Sequence, residues 1–430
     1  MFHVEPGRGE CSTWNRLSLD SRPCENPPPR HPSMISLARY AALLAAPDLA
    51  ATVLASLIGR LPIGIAGLAI LLLAQSTSGS FARAGVTTAG YIAGLATLAP
   101  VLGRLIDRGG PRRVLVTCGV LYPLSLTALV ASIAFGAPAW LPLTLAVAAG
   151  ASFPPITVCM RTFLKQRLGN DPLLATAYSL ESVLIETIFI VGPMLVALFV
   201  AFASPSLAVL FAAACAVAGT FLFLRSPALE QWKVEPRTSA NLFGPLSSPG
   251  FLPLLAIILC YSVAFGLVEI GVTGFAAEAG SPALAGVLLG LMSVGSVIGG
   301  LAYGSRGWHF PLARQFSLAL ALMGGGILPL ALLSGVWTFA AFAALAGVVM
   351  APALTMQSML VAKAGSAGSS AEAFTWSATG LLAGVGLGFA AGGVILEAAG
   401  SAAVLVAAAI ASLAAAAGAY ARLGNHIYLN

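Results

Sequence analysis

The chain has 430 residues, 58% of them hydrophobic and 8% charged, with a net charge of +6 and a mean hydropathy of +0.94. That composition excludes a soluble globular protein. It predicts an all-α polytopic membrane protein, because a hydrocarbon core about 30 Å thick takes roughly 20 apolar helical residues to cross and tolerates no lipid-exposed loop.

In chain order, residues 1–33 hold six prolines, balanced charges and no apolar run, so they are expected to be disordered and lack the apolar segment of a signal peptide. Met34 opens MISLARYAALL, an amphipathic lead-in that marks an alternative start. Twelve apolar runs follow, near 50–74, 84–106, 114–134, 139–160, 173–200, 205–224, 251–275, 284–304, 311–334, 336–361, 374–396 and 402–421. They predict an N-terminal six-helix bundle over 34–224, a polar cytoplasmic linker over 225–250 carrying Arg225, Glu230, Lys233, Glu235 and Arg237, and a C-terminal six-helix bundle over 251–430.

Short basic loops stay in the cytoplasm. With both termini inside, every Lys and Arg except Arg60 and Arg83 falls on the cytoplasmic side, so the positive balance records topology in a plasma membrane rather than nucleic-acid binding. Cys118, Cys159, Cys215 and Cys260 lie within runs and Cys11 and Cys24 in the tail, which suggests no disulfide framework.

Several charges fall inside the runs. If the first helix began after Arg60, only Leu61 to Gln75 would remain, about 22 Å at about 1.5 Å per residue and too short to span. Arg60 is therefore embedded, at a cost of about 2.5–3.5 kcal/mol, and faces a cavity or a carboxylate unless it snorkels to the headgroups. The fifth run opens with Asn170-Asp171-Pro172, Asp171 reading as N-cap and Pro172 as the first helical residue. It carries Glu181 and Glu186, about 140° apart around the helix and so no dyad. Counting rises from the cytoplasmic ends puts Glu186 at the depth of Arg60, with Glu181 shallower. Glu269, in the seventh run, lies towards the outer face. Each is either a structural ion-pair partner or a handler of protons or substrate.

Ser369 and Glu372 read as a capping box before the eleventh run. His3, His31, His309 and His426 all lie outside the runs, and there is no H-E-x-x-H, metal cluster or phosphate loop. No catalytic residue, metal or cofactor is expected, and the chain does not read as an enzyme.

The halves rhyme. VLGRL at 101–105 recurs as VIGGL at 297–301, Ala149-Gly150 with Pro155 as Ala346-Gly347 with Pro352, and Gly192 as Gly388, at offsets of 196 or 197. This points to a duplicated six-helix unit.

The most charged turn is Gly103 to Leu115, GRLIDRGGPRRVL, with four Arg and one Asp within ten residues. Gly103, Leu105, Asp107, Arg108, Gly110, Arg112 and Leu115 fit the pattern G-x-L-x-D-R-x-G-[RK]-[RK]-x-x-L, with Pro111 the departure and the basic pair displaced onto Arg112 and Arg113. On these residues the chain resembles the major facilitator superfamily, close to bacterial efflux-type permeases. The resemblance implies that superfamily's fold of two pseudo-symmetric six-helix bundles, with Gly103, Asp107, Arg108, Gly110, Arg112 and Arg113 as a cytoplasmic gating motif. It also implies a small-solute transporter that alternates between two openings, with packing of the eleventh helix beside the second.

The drug-antiporter pattern is incomplete: the fourth run has no internal Arg, and the fifth keeps only Gly192-Pro193. The expected function is proton-coupled export of a small organic solute by a monomer in the lipid bilayer. Arg60, Glu181, Glu186 and Glu269 are the translocation candidates, with Glu186 as first proton carrier. Uptake by symport or facilitated diffusion, and a transporter-like receptor without flux, are the alternatives.

Overall fold

The computed structural model describes residues 37–426 apart from 79–80, 170, 172, 235–243, 249, 282–283, 309 and 366–368. The tail 1–33, Met34, Asn170, Pro172, Glu235 and Arg237 lie outside the described residues.

The described residues are almost wholly helical. The membrane-spanning helices are α1 (Asp48–Thr77), α2 (Val86–Gly109), α3 (Pro111–Ala134), α4 (Trp140–Leu168), α5 (Leu173–Phe202), α6 (Pro205–Leu224), α7 (Phe251–Glu278), α8 (Leu284–Gly304), α9 (Leu312–Leu332) and α10 (Val336–Ala364). The last apolar stretch, Ser370–Leu423, is divided at Gly400, whose φ of 79° no helix adopts, into α11 (370–399) and α12 (401–423). A short helix, Leu37–Ala45, precedes α1.

Local chemistry sets the boundaries. Gly110, at φ 77°, is the whole turn between α2 and α3, and Pro111 follows as the first helical residue. The Asp171 carboxylate accepts the Leu173 N–H at 2.7 Å, so the expected N-cap of α5 forms. Inside α4, Pro154-Pro155 interrupts the helix, which resumes at Ile156 and runs to Leu168. Arg161 is consequently internal to α4, which corrects the expectation that this helix carries no Arg.

The two halves repeat one packing scheme. The first helix of each half packs against the fifth and sixth, α1 on α5 and α6 and α7 on the α11–α12 stretch, while α2 packs on α4 as α8 does on α10. Small residues permit the close approaches: a Cβ on Gly192 would lie 2.6 Å from the Gly64 carbonyl carbon, and one on Gly388 would lie 2.9 Å from the Gly266 Cα. Gly192 and Gly388 are a pair already matched by the sequence repeat. Between the halves, α2 meets α11, and α5 meets α8 and α10.

Candidate functional site

Two groups of polar residues lie where the halves meet. The first is at the end of the molecule that carries the Gly103–Leu115 turn, termed the charged end. Asp107, 9% exposed, accepts the backbone N–H groups of Ala371 at 2.9 Å and Glu372 at 2.8 Å. A carboxylate there satisfies two unpaired amides and sits at the positive end of the α11 dipole. Gly103 is buried against α11, and a Cβ on it would lie 2.8 Å from the Ala371 carbonyl oxygen.

Arg104 donates from Nε and a terminal nitrogen to one oxygen of Glu372, at 3.1 and 2.6 Å. Glu372 is therefore engaged across the interface rather than only in a capping box, and its other oxygen lies against Gly244 of the linker. Lys165 donates to the Ser370 hydroxyl at 3.0 Å. Arg108, Arg112 and Arg113 are exposed, so of the expected gating residues only Gly103, Asp107 and Gly110 take buried positions.

Tyr40, on the helix before α1, adds a clasp. Its hydroxyl donates towards the carbonyls of Gly300 at 3.3 Å and Leu301 at 3.1 Å on α8, and lies 3.2 Å from the Ser179 hydroxyl of α5. Ser179 itself donates to Gly300, and Thr176 donates to the Gly304 carbonyl at 2.6 Å. These bonds close the charged end.

The second group lies deeper. Arg60 of α1 pairs with Glu181 of α5 at 2.7 Å, both side chains 1% exposed. The contact has ion-pair distance but not hydrogen-bond angles, so the Arg60 nitrogens and both Glu181 oxygens lack a hydrogen bond. Glu186, placed at the depth of Arg60 by counting rises, is not its partner. Helical side chains lean towards the N-terminus of their own helix, so the long Arg60 stem reaches back about a turn towards the charged end and meets Glu181. Glu186 points elsewhere, within hydrogen-bonding reach of the Ser293 and Ser296 hydroxyls of α8, consistent with the expected separation of the two carboxylates.

Arg161 joins this group. It interacts electrostatically with Glu181, Arg60 and the hydroxyls of Tyr178 and Tyr261, and its buried Nε has no hydrogen-bond partner. Tyr178 donates to the Arg161 carbonyl at 3.2 Å. The opposite wall comes from the second half: Tyr261 of α7 bonds to Gln357 of α10, which donates to Ser377 of α11 at 2.7 Å. Glu269 stands apart, exposed on α7 and eight residues, about 12 Å, beyond Tyr261. Sequence reasoning missed Arg161, Arg104 and Tyr40; the signal for Arg161 was Pro154-Pro155, after which a new helix must run inward of the basic end.

The deeper group is thus two guanidiniums, one carboxylate and a neutral hydrogen-bonded wall, drawn from α1, α4, α5, α7, α10 and α11. Nothing in it resembles a nucleophile with its base, and among the described residues no cluster of His, Cys, Asp or Glu could hold a metal.

The sequence model of the Major Facilitator Superfamily matches residues 52–277. No curated protein sequence matches the chain significantly. Among solved structures, the human organic anion transporter MFSD10 (TETRAN) is similar with a TM-score of 0.67 and 17% identity, over 86% of this chain and 98% of that one. A bacterial homologue of the iron transporter ferroportin, in an outward-facing state, gives 0.70 and 15% over 87% and 99%. The E. coli fucose:proton symporter FucP gives 0.69 and 14% over 88% and 99%. With the family's sequence model matching over half its length and a duplicated twelve-span fold shared with these structures, the chain belongs to the Major Facilitator Superfamily, as a transporter of small solutes and not an enzyme.

Proposed function

We propose that the chain is a proton-coupled secondary transporter that carries a small organic solute by alternating access, with the solute bound between the halves beside Arg60, Arg161 and Glu181. The observation that carries this reading is the Arg60–Glu181 pair at 2.7 Å. A buried ion pair holds only while both partners are charged, and losing one leaves the other uncompensated, at about 3–5 kcal/mol. A proton on Glu181 therefore releases Arg60 for the solute, and its departure restores the pair. Glu181 replaces Glu186 as the first proton carrier. Glu186, bridging towards α8, is second, and Glu269 third.

The charge logic favours proton and solute moving together, as in uptake symport, over the exchange that export would need. Exchange requires proton and solute to displace one another, whereas here the proton frees the group that the solute would use. The basic end is read as cytoplasmic, in a plasma membrane with both termini inside, so the closed charged end corresponds to an outward-facing state. A ferroportin homologue and FucP share this fold and were captured in outward states.

The test is proton movement in proteoliposomes containing a pH-sensitive dye, with candidate solutes added from outside. Solute-triggered proton entry that Glu181→Gln abolishes is the expected result. Solute flux with no proton movement at any pH would refute the coupling.

A further inference from the structure

We propose that the transported solute is a small organic anion whose carboxylate docks on Arg161, beside the Arg60 that a proton on Glu181 releases. This inference rests on the proposed site but adds the chemistry of its occupant.

Arg60 and Arg161 bring two positive charges into the interface, and among the described residues Glu181 is the one carboxylate that both guanidiniums feel. Arg60 is fully buried, with Nε and one terminal nitrogen unengaged, and Arg161 keeps a buried Nε unpaired. The other nearby groups are engaged elsewhere or neutral: Asp107, which acts on Cys159 as Arg60 does, is held by the Ala371 and Glu372 amides. Tyr178 and Tyr261 are neutral phenols, Gln357 is already bonded to Tyr261 and Ser377, and Glu372 is taken by Arg104. Glu186 faces Ser293 and Ser296, and Glu269 is remote and exposed.

One positive charge therefore stands unbalanced in a region of low dielectric, where unpaired charge is costly. A monocarboxylate balances it, and the planar guanidinium fork matches a carboxylate edge to edge. A cation would add to the imbalance, and a neutral solute would leave it untouched.

The same arithmetic ties the anion to the proton. A proton on Glu181 makes the empty site doubly positive, which an arriving anion relieves. Anion and proton thus reinforce each other's binding, and by linkage they do so reciprocally.

The decisive comparison uses the full chain purified in detergent, with thermal stabilisation as the readout and carboxylate–carboxamide pairs as probes: benzoate against benzamide and lactate against lactamide, with choline as the cation. Stabilisation by the carboxylates alone, weakened at least about thirtyfold in Arg161→Gln and partly retained in Arg161→Lys, is expected. Stabilisation by amides or choline in place of carboxylates, no stabilisation by either carboxylate, or carboxylate binding unchanged in Arg161→Gln overturns the proposal. The wild-type comparison decides even if a variant does not fold. Carboxylate binding that needs Arg161 but ignores pH and Glu181→Gln would keep the anion and remove the proton coupling. Proton movement driven by amides alone would do the reverse.

Discussion

Arg104 and Glu372 lie 268 positions apart in sequence and form one ion pair, 2.6 Å long, across the seam between the halves. Glu372 is fully buried and Arg104 one-third exposed, so water screens the pair from one side only. Asp107, one turn along α2, holds the same end of α11 through two backbone amides. Together they fix a helix start of one bundle to a helix end of the other.

Removing this latch is expected to open the charged end. Asp107→Ala should cost the closed state about 1–2 kcal/mol, the usual worth of a helix cap. Arg104→Gln should cost about 1.5–3 kcal/mol at most, given the screening. Labelling of a cysteine placed at Ser305, buried next to Gly304 at the end of α8, should become several-fold faster in both variants. Unchanged labelling would show that the seam closes without them.

The Tyr40 clasp makes a separate prediction. Tyr40→Phe keeps the ring packed but removes the hydroxyl shared by Ser179, Gly300 and Leu301, and should weaken closure by about 1 kcal/mol. Burial pushes the Tyr40 phenol above its ordinary value of 10.0. With the folded value raised, the clasp's contribution is complete below the ordinary value and fades only as pH rises through the folded one. Closure measured by the same labelling should therefore not vary, on account of Tyr40, between pH 6 and about 9; a loss within that range would point to another group.

Close helix approach predicts a steric penalty. Gly192→Leu would drive a side chain into the α1 backbone at Gly64 and should destabilise the first bundle by about 1–3 kcal/mol or more. The check is thermal unfolding in detergent, with Gly386→Leu as control, since a Cβ there meets nothing within 4 Å.

Neutralising Arg60 should also be costly. Arg60→Gln breaks the 2.7 Å pair, leaves Glu181 facing Arg161 alone and removes half of the positive charge in the site, so it should lower stability by at most about 3–5 kcal/mol and abolish transport. Arg60→Gln combined with Glu181→Gln should recover much of the stability without recovering proton-coupled transport. Unfolding curves of the single and double variants measure the coupling directly.

Much of the architecture was legible in the sequence because membrane helices announce themselves locally. A run of about 20 apolar residues, a Gly-Pro turn at 110–111 and an Asp N-cap at 171 each act over a few residues. The charged turn at 103–115 was legible for the same reason, and the halves were betrayed by their repeat. The pairing of Arg60 was not, because rises counted along two separate helices ignore how far an Arg stem leans back towards its own N-terminus. Arg161 was hidden by its place in the basic stretch RTFLKQR, which reads as a loop edge until the helix is seen to continue inward past Pro155. Arg104 with Glu372, and Tyr40 with Gly300, are contacts between distant segments that no local pattern encodes.

The most direct measurement is solute accumulation against exchange in proteoliposomes, comparing wild type with Glu181→Gln. If Glu181 carries the proton, an imposed pH gradient should drive accumulation in wild type and not in the variant, while solute-for-solute exchange without a gradient survives in both. Gradient-driven accumulation that persists in Glu181→Gln would contradict the account.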